Sequence, residues 1–312
     1  MMFKNSIKLL MANFATVWKL LVYKILVLGI VTGLFFIGFS FVRGMDSFLA
    51  FWDSVTSFIF SFNVGASILE LLQAGLNIFQ EFFVFALDLA VNGTGIFILY
   101  IFIFLILLPF LWRLSDIPTG ETLYGYMASL TKYSFVGAMI RKLGTSCLYS
   151  LLNLAIMLPI NFAIIAGFYG ILTLVSFGGF TAILVPFLIF IYISALAGLK
   201  MAFFSGWMPA CVVFNCNVVK GLKLGFKAVM RRFFKVLSTS IIIVAVILAI
   251  NLLFGSFSFI ITVPLGSMIV LVFQMVMFFG SQGMRYYVDL DTILSPKKLE
   301  QTDKLKKVKD LI

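Results

Sequence analysis

The longest part of the sequence without a charged residue runs from Leu143 to Leu199 and contains 57 residues. A second long uncharged run extends from Val236 to Met284. A helix needs about 20 apolar residues to cross the hydrocarbon core of a bilayer, so each run has room for two spanning helices. Charged residues make up only 11% of the chain, against about 25% in soluble domains. The sequence therefore predicts an all-α, polytopic membrane protein.

Two shorter uncharged runs precede these long ones, and they end at Arg43 and Arg113. Glycine clusters mark the turns inside the long runs. We predict six transmembrane helices, near residues 25–42, 95–112, 145–167, 180–199, 236–254 and 259–280. These helices form a single integral membrane domain over residues 1–290, followed by a charged cytoplasmic tail over 291–312. Residues 44–94 form an extracytoplasmic amphipathic insertion, which either lies on the outer leaflet or enters the membrane.

The distribution of charge tests this topology. With a cytoplasmic N-terminus, six spans place 22 of the 23 basic residues inside, and Arg43 is the exception. Lys and Arg concentrate on the cytoplasmic side of membrane proteins. We therefore expect a multipass protein of the plasma (inner) membrane of a bacterium, with both termini cytoplasmic. The net charge of +11 follows from this arrangement and does not indicate a nucleic-acid partner.

Basic amphipathic stretches precede the pairs of spans. The clearest one has apolar residues, among them Leu222, Phe226 and Val229, beside a basic stripe at helical spacing. This pattern predicts two or three interfacial helices whose basic residues contact anionic inner-leaflet head groups. The candidate head-group contacts are Lys220, Lys223, Lys227, Arg231 and Lys235. A weaker stretch covers residues 123–142, and the first one runs from Phe3 to Lys19. Three repeated units, 1–113, 120–200 and 217–285, are a hypothesis from this pattern.

One region is similar to known sequences. Its pattern is Pro209-Ala-Cys-Val-Val-Phe-Asn215, then Gly221-Leu-Lys-Leu-Gly-Phe-Lys-Ala, then the basic pair Arg231-Arg232 and an apolar span. It resembles an uncharacterised bacterial multipass membrane family, similar to the integral membrane domain that precedes some glycerophosphodiester phosphodiesterases. The resemblance covers some 45 residues, and the 51-residue outer insertion departs from it. It implies a six-helix membrane domain and places no catalytic residue on this chain.

Few polar residues fall inside the predicted spans. Four amides stand out as candidate cavity-lining residues: Asn153, Asn161, Asn251 and Gln274. Asn153 and Asn161 are eight residues apart, which places them on one helix face. They could line a pathway, or they could form hydrogen bonds between helices. Prolines such as Pro109 and Pro159 also lie in spans, where they are common with or without a transport role.

The chemistry of the side chains argues against an enzyme. The sequence has no histidine, and we recognise no catalytic motif, metal-ligand cluster or cofactor-binding glycine loop. We expect a non-enzymatic protein, without metal or cofactor, that binds lipid or partner proteins in the cell envelope. The alternative is a permease for a small uncharged or amphiphilic solute, and a membrane-bound enzyme is the least supported interpretation. A cavity lined by the four amides would favour the permease, and a solid apolar bundle would favour the binding protein.

Overall fold

A computed structural model of the chain describes residues 6, 9–11, 13–64, 67–127, 134–254 and 258–281. Within these ranges the protein is helical and contains no strand. The first helices are α1 (Phe14–Val42), α2 (Asp46–Val64), α3 (Ile68–Asn92) and α4 (Thr94–Ile101). A π-helical turn, Phe102–Leu107, joins α4 to α5 (Leu108–Leu114), and α6 (Asp116–Met127) follows. The later helices are α7 (Phe135–Arg141), α8 (Leu143–Leu172), α9 (Gly179–Phe204), α10 (Trp207–Val213), α11 (Val218–Met230), α12 (Phe233–Phe254) and α13 (Ser258–Ser281).

The fold class predicted from the sequence is confirmed. Five helical segments in the described part of the chain are long and apolar enough to cross a membrane: residues 14–42, 69–92, 94–127, 143–177 and 183–213. A sixth candidate is the pair α11 and α12, which meet at an angle of 97°. Helix α13 is 24 residues long and strongly apolar. The six predicted spans correspond to α1, the α4–α5 segment, α8, α9, α12 and α13.

The bundle has two ends, and its contacts identify them. Helix α1 runs antiparallel to the α4–α5 segment, so that Gly38 faces Ile96 while Tyr23 donates a hydrogen bond to the carbonyl of Leu111 over 2.7 Å. We call the end with Val42 and Thr94 the distal end, and the end with Arg113 and Lys142 the basal end. Arg43 is the one basic residue that the described chain carries at the distal end.

Helices α2 and α3 form the predicted insertion. Ser67 begins α3 with a capping box, in which its hydroxyl accepts from the Glu70 amide and the Glu70 carboxylate accepts from the Ser67 amide. Phe85 of α3 packs on Phe48 beside the end of α1, and Leu76 packs on Leu172 at the end of α8. Both contacts are at the distal end, although α3 rises by roughly 14 Å between them. Helix α3 therefore crosses over the ends of the spans, despite being long and apolar enough to span.

The basal end holds the largest core cluster. Helix α6 is buried on most of its surface and packs against α10 and α13. The indole of Trp207, which is buried, donates to the carbonyl of Val218 over 2.9 Å and joins α10 to α11. Helices α6 and α10 both begin just after a buried serine, Ser115 or Ser205, and both carry proline at their third residue. Proline is compatible with the first turn of a helix because its missing N–H is not needed there.

The order of elements repeats along the chain. A short helix, two long helices and a second short helix follow one another in α7 to α10, and α11 to α13 repeat the first three of these. The first unit ends in the same way, because α6 follows the α4–α5 span. Its two spans are separated by the α2–α3 insertion. The three predicted units stay a hypothesis, because α6 falls at the end of the first unit here, whereas the prediction began the second unit at residue 120.

Two predicted interfacial stretches differ in detail from the structure. The end of the N-terminal one, from Phe14 to Lys19, belongs to α1, which is continuous from Phe14 to Val42. Of the middle one, which covers residues 123–142, residues 128–133 lie outside the described ranges. Its first part, up to Met127, is buried in the bundle core rather than placed at an interface, because Leu123 and Met127 belong to the apolar face of α6.

Candidate lipid-contact face and lateral cleft

Helix α11 has three distinct faces. Its buried face is built from small residues and valines: Val218, Gly221, Gly225, Ala228 and Val229. A Cβ atom on Gly225 would lie 2.7 Å from the backbone nitrogen of Trp207, so only glycine lets α11 approach α10 this closely. The apolar residues that the sequence placed on one side of this helix therefore lie on two faces. Val229 packs inward, whereas Val219 and Phe226 stay exposed.

The second face is basic, as predicted. The five predicted head-group contacts are all exposed: Lys220, Lys223, Lys227, Arg231 and Lys235. None of them forms an ion pair with an acidic residue in the described ranges. We call this set the basic face. It extends from the first turn of α11 into the first turn of α12. Beside it, burial raises the pKa of the Cys216 thiol, and the nearby Lys220 ammonium partly opposes this rise.

The third face of α11 is apolar and exposed. Val219, Phe226 and Met230 are 49%, 45% and 42% exposed, and on a helical wheel they lie roughly 90° from the basic face. The bend of 97° to α12 makes α11 run across the direction of the spans. A helix in this position, with adjacent apolar and basic faces, has the features of an interfacial membrane helix.

The predicted cavity-lining amides have different locations. Asn153 and Asn161 of α8 line one cavity of about 500 Å³, together with residues of α1, the π-helical turn and α5. Gln274 is buried in α13, away from this cavity, and its side-chain oxygen has no hydrogen-bond partner in the described structure. Asn251 lies on α12, but its side chain is outside the described part of the protein. The amides thus do not form one common pathway among the described residues.

We call this cavity the lateral cleft. Its base lies at the basal end beside Trp112, Arg113 and Asn153, and it extends along α5 and α8 to Phe104 and Ile165. Both walls contain a backbone irregularity, because Pro109 follows the π-helical turn and Pro159 lies inside α8. Proline removes a helical hydrogen bond and clashes with the carbonyl four residues earlier. These irregularities are a physical reason for a gap between the two helices.

Three charged side chains come together near the base of the cleft. The guanidinium of Arg113 donates to the Asp116 carboxylate over 3.1 Å. Lys24, which is only 1% exposed, donates to the carbonyl of Trp112, and its Nζ lies 4.3 Å from the centre of the Trp112 ring. The hydrogen bond and the cation–π contact satisfy this buried ammonium. We did not predict this cluster, because Lys24 was placed outside the first span.

The described residues show no group of three or more Cys, Asp and Glu side chains that could hold a metal ion. Comparison of the chain with protein-family models, with curated proteins and with solved structures gives no match. The class of the protein therefore comes from its fold: it is an all-α, multipass membrane protein.

Proposed function

We propose that this protein is a non-enzymatic protein of the plasma (inner) membrane that binds acidic phospholipids through the basic face. One observation carries the proposal: α11 lies at 97° to α12, with an exposed apolar face directly beside an exposed basic face. Acyl chains solvate the first face and anionic head groups pair with the second. A partner protein with an acidic surface would be a second ligand for the same face.

The energy of this contact is substantial. Each Lys or Arg near an anionic membrane surface contributes about 1 kcal/mol, so the five residues of the basic face contribute on the order of 5 kcal/mol. No acidic side chain of the described chain neutralises them. Lipid head groups would supply that counter-charge without another protein.

The proposed orientation places the basal end in the cytoplasm. The two ends of the described bundle differ in charge, because the basal end carries Lys19, Arg141, Lys142 and the basic face, while the distal end carries Asp46, Asp53 and Glu70. Basic residues remain on the cytoplasmic side during insertion. Both termini are then cytoplasmic, and the α2–α3 insertion lies on the outer leaflet.

Spin labels on α11 test this placement. The full chain, with its three cysteines replaced, is reconstituted in bilayers containing acidic lipid, with a nitroxide at Phe226→Cys or at Lys227→Cys. We expect the label at 226 to be relaxed mainly by oxygen, which partitions into hydrocarbon. The label at 227 should be relaxed mainly by a water-soluble nickel chelate. Equal access of the nickel chelate to both positions would contradict an interfacial α11.

A permease for an amphiphilic solute is the second candidate function. The lateral cleft, with Asn153 and Asn161 in its wall, is the observation that favours it. The measurement is the movement of a fluorescent phospholipid between the leaflets of proteoliposomes. A lipid-binding protein should give the rate of protein-free vesicles. A faster rate that Asn153→Leu abolishes would favour the permease instead.

A further inference from the structure

We propose that the lateral cleft is a binding site for one acidic phospholipid, whose phosphate lies against Arg113 and Asn153 and whose acyl chain runs toward Phe104. This inference deepens the proposed function, because it adds a second, stoichiometric lipid site to the basic face. The cleft site uses different residues from the basic face, so an experiment can contradict one site and leave the other supported.

Asn153 gives the first argument. Its side chain is only 4% exposed and borders the cleft. Nearly all buried polar groups have a hydrogen-bond partner in folded proteins, so a largely buried amide that faces the cleft is suited to a hydrogen bond with a ligand there. A ligand oxygen in the cleft would supply an acceptor for the Asn153 amide group.

Arg113 gives the second argument. Its side chain is 40% exposed and contributes one N–H group to the Asp116 carboxylate. A guanidinium has five N–H donors, so most of them remain for another anion at the base of the cleft. Arginine is well suited to phosphate because its planar fork can donate two parallel hydrogen bonds.

The local charge favours an anion in spite of Asp116. The ammonium of Lys200 donates to the Asn161 side chain, which lines the cleft, over 2.8 Å. Lys200 also lies close enough to Arg113 for the two cations to interact. These two cations outnumber the one carboxylate near this site. A zwitterionic lipid would add a further cation here, whereas an acidic lipid would add only negative charge.

The shape and rim of the cleft indicate a membrane lipid as the occupant. Beyond Arg113 and the two asparagines, the wall is apolar. The rim includes Leu28, Phe104, Phe162 and Ile165, each of which is between 41% and 49% exposed. In a bilayer such residues face acyl chains, so a lipid can enter sideways. The distance along the helix from Arg113 to Phe104 is roughly 14 Å, which suits an extended segment of an acyl chain.

Native mass spectrometry of the full chain tests the site. The protein is extracted from bilayers of equal phosphatidylglycerol and phosphatidylcholine, and the lipids that remain bound are counted. We expect one phosphatidylglycerol per wild-type chain. Asn153→Leu removes the amide, and Leu158→Trp fills the cleft that Leu158 lines. Each should weaken the affinity for phosphatidylglycerol by about tenfold or more. Asn153→Leu loses a hydrogen bond to a charged group, and the indole of Leu158→Trp occupies the space of the acyl chain.

The matched control is Leu151→Trp, which adds the same bulk to α8 at an exposed position outside the cleft wall. It should keep the wild-type occupancy. Asn153→Leu should not lower the melting temperature in lipid-free detergent, since leucine is similar in size and suits the apolar wall of the cleft, and this separates lost binding from misfolding.

Three results would overturn the cleft site: no retained lipid, equal retention of phosphatidylcholine, or wild-type occupancy in Leu158→Trp. Combined replacement of Lys223, Lys227 and Arg231 by Gln leaves the cleft intact and should keep the bound lipid. Its loss in that variant would move the lipid to α11, which overturns the cleft site and supports the basic face.

Discussion

The buried charges at the basal end differ in how much the fold depends on them. Asp116, with a side chain only 5% exposed, is the carboxylate near both Arg113 and Lys24. Lys24 contacts the Trp112 carbonyl, but that oxygen also accepts the Ser115 hydroxyl over 3.2 Å. Removing the lysine therefore leaves no group without a partner, whereas removing the aspartate leaves the Arg113 guanidinium without its counter-charge.

We expect Asp116→Leu to destabilise the protein far more than Lys24→Met. Breaking a buried ion pair costs about 3–5 kcal/mol. Because the Arg113 guanidinium is 40% exposed, we expect about 2–3 kcal/mol for Asp116→Leu. Lys24→Met should change the free energy of unfolding by less than about 1 kcal/mol. Thermal or denaturant unfolding in one detergent measures both, and a larger loss for Lys24→Met would contradict this assignment.

At the residue scale, the sequence predicts which polar residues line the cleft better than it predicts which charged residues are buried. Helical spacing alone placed Asn153 and Asn161 on one face, and both line the cleft. It could not show that Arg113 and Asn153 border the same cleft or that Lys24 lies over Trp112. Those contacts join residues far apart in sequence, and only the packing of α1, α5 and α8 brings them together.

Among the elements, α11 depends on close helix packing for its position. Gly221 and Gly225 face α10, and Gly206 lies against Gly225 with no side chain between the backbones. Small residues at such positions let helices approach closely. This contact fixes which face of α11 is buried, and it leaves the basic face and the apolar face available to the membrane.

Gly225→Ala should destabilise the protein by about 1–3 kcal/mol, the usual cost of overpacking. The new methyl group would contact the backbone of Gly206 and Trp207, which cannot rotate away as a side chain can. Gly33→Ala is the matched control, since a Cβ there meets nothing within 4 Å. Equal melting temperatures for the two variants would show that α11 does not depend on this contact.

The elements show where a single sequence is informative and where it is not. Uncharged runs located the long apolar helices, and the bounds of α12 and α13 differ from the predicted spans by only a few residues. The amphipathic pattern of α11 identified its basic face correctly. The burial of α6 was not predicted, although α6 contains polar residues. Thr119, for example, donates to the Ser115 carbonyl over 2.7 Å and is fully buried.

For the whole molecule, the main feature is that the two ends of the bundle differ in charge, which bears on how the chain is oriented in the membrane. Charge counting predicted a basal end rich in Lys and Arg, and the described fold groups these residues as expected. It could not decide whether the insertion crosses the membrane, because two added spans leave both ends unchanged. The contacts of α3 with the ends of α1 and α8 favour an insertion that lies over the distal end.

Cysteine labelling distinguishes these arrangements. In a chain without native cysteines, we expect Ser57→Cys in α2 and Leu69→Cys in α3 to react with an impermeant reagent from outside. Asn217→Cys, before α11, should react only after the membrane is opened. All three positions are exposed in the structure. Labelling of Leu69→Cys from the same side as Asn217→Cys would instead show that the α2–α3 hairpin crosses the bilayer.

The most direct measurement of the central claim is the lipid selectivity of the basic face in a bilayer. Spin-labelled phosphatidylglycerol and phosphatidylcholine are compared in membranes containing the full chain, and the motionally restricted fraction of each lipid is measured. Phosphatidylglycerol should be restricted more, and the difference should shrink with salt, which screens charges over about 8 Å at physiological ionic strength. Combined replacement of Lys223, Lys227 and Arg231 by Gln should remove roughly 3 kcal/mol of the attraction, whereas replacement of the two lysines by Arg should preserve it. Equal restriction of both lipids by the wild-type protein at low salt would contradict the account.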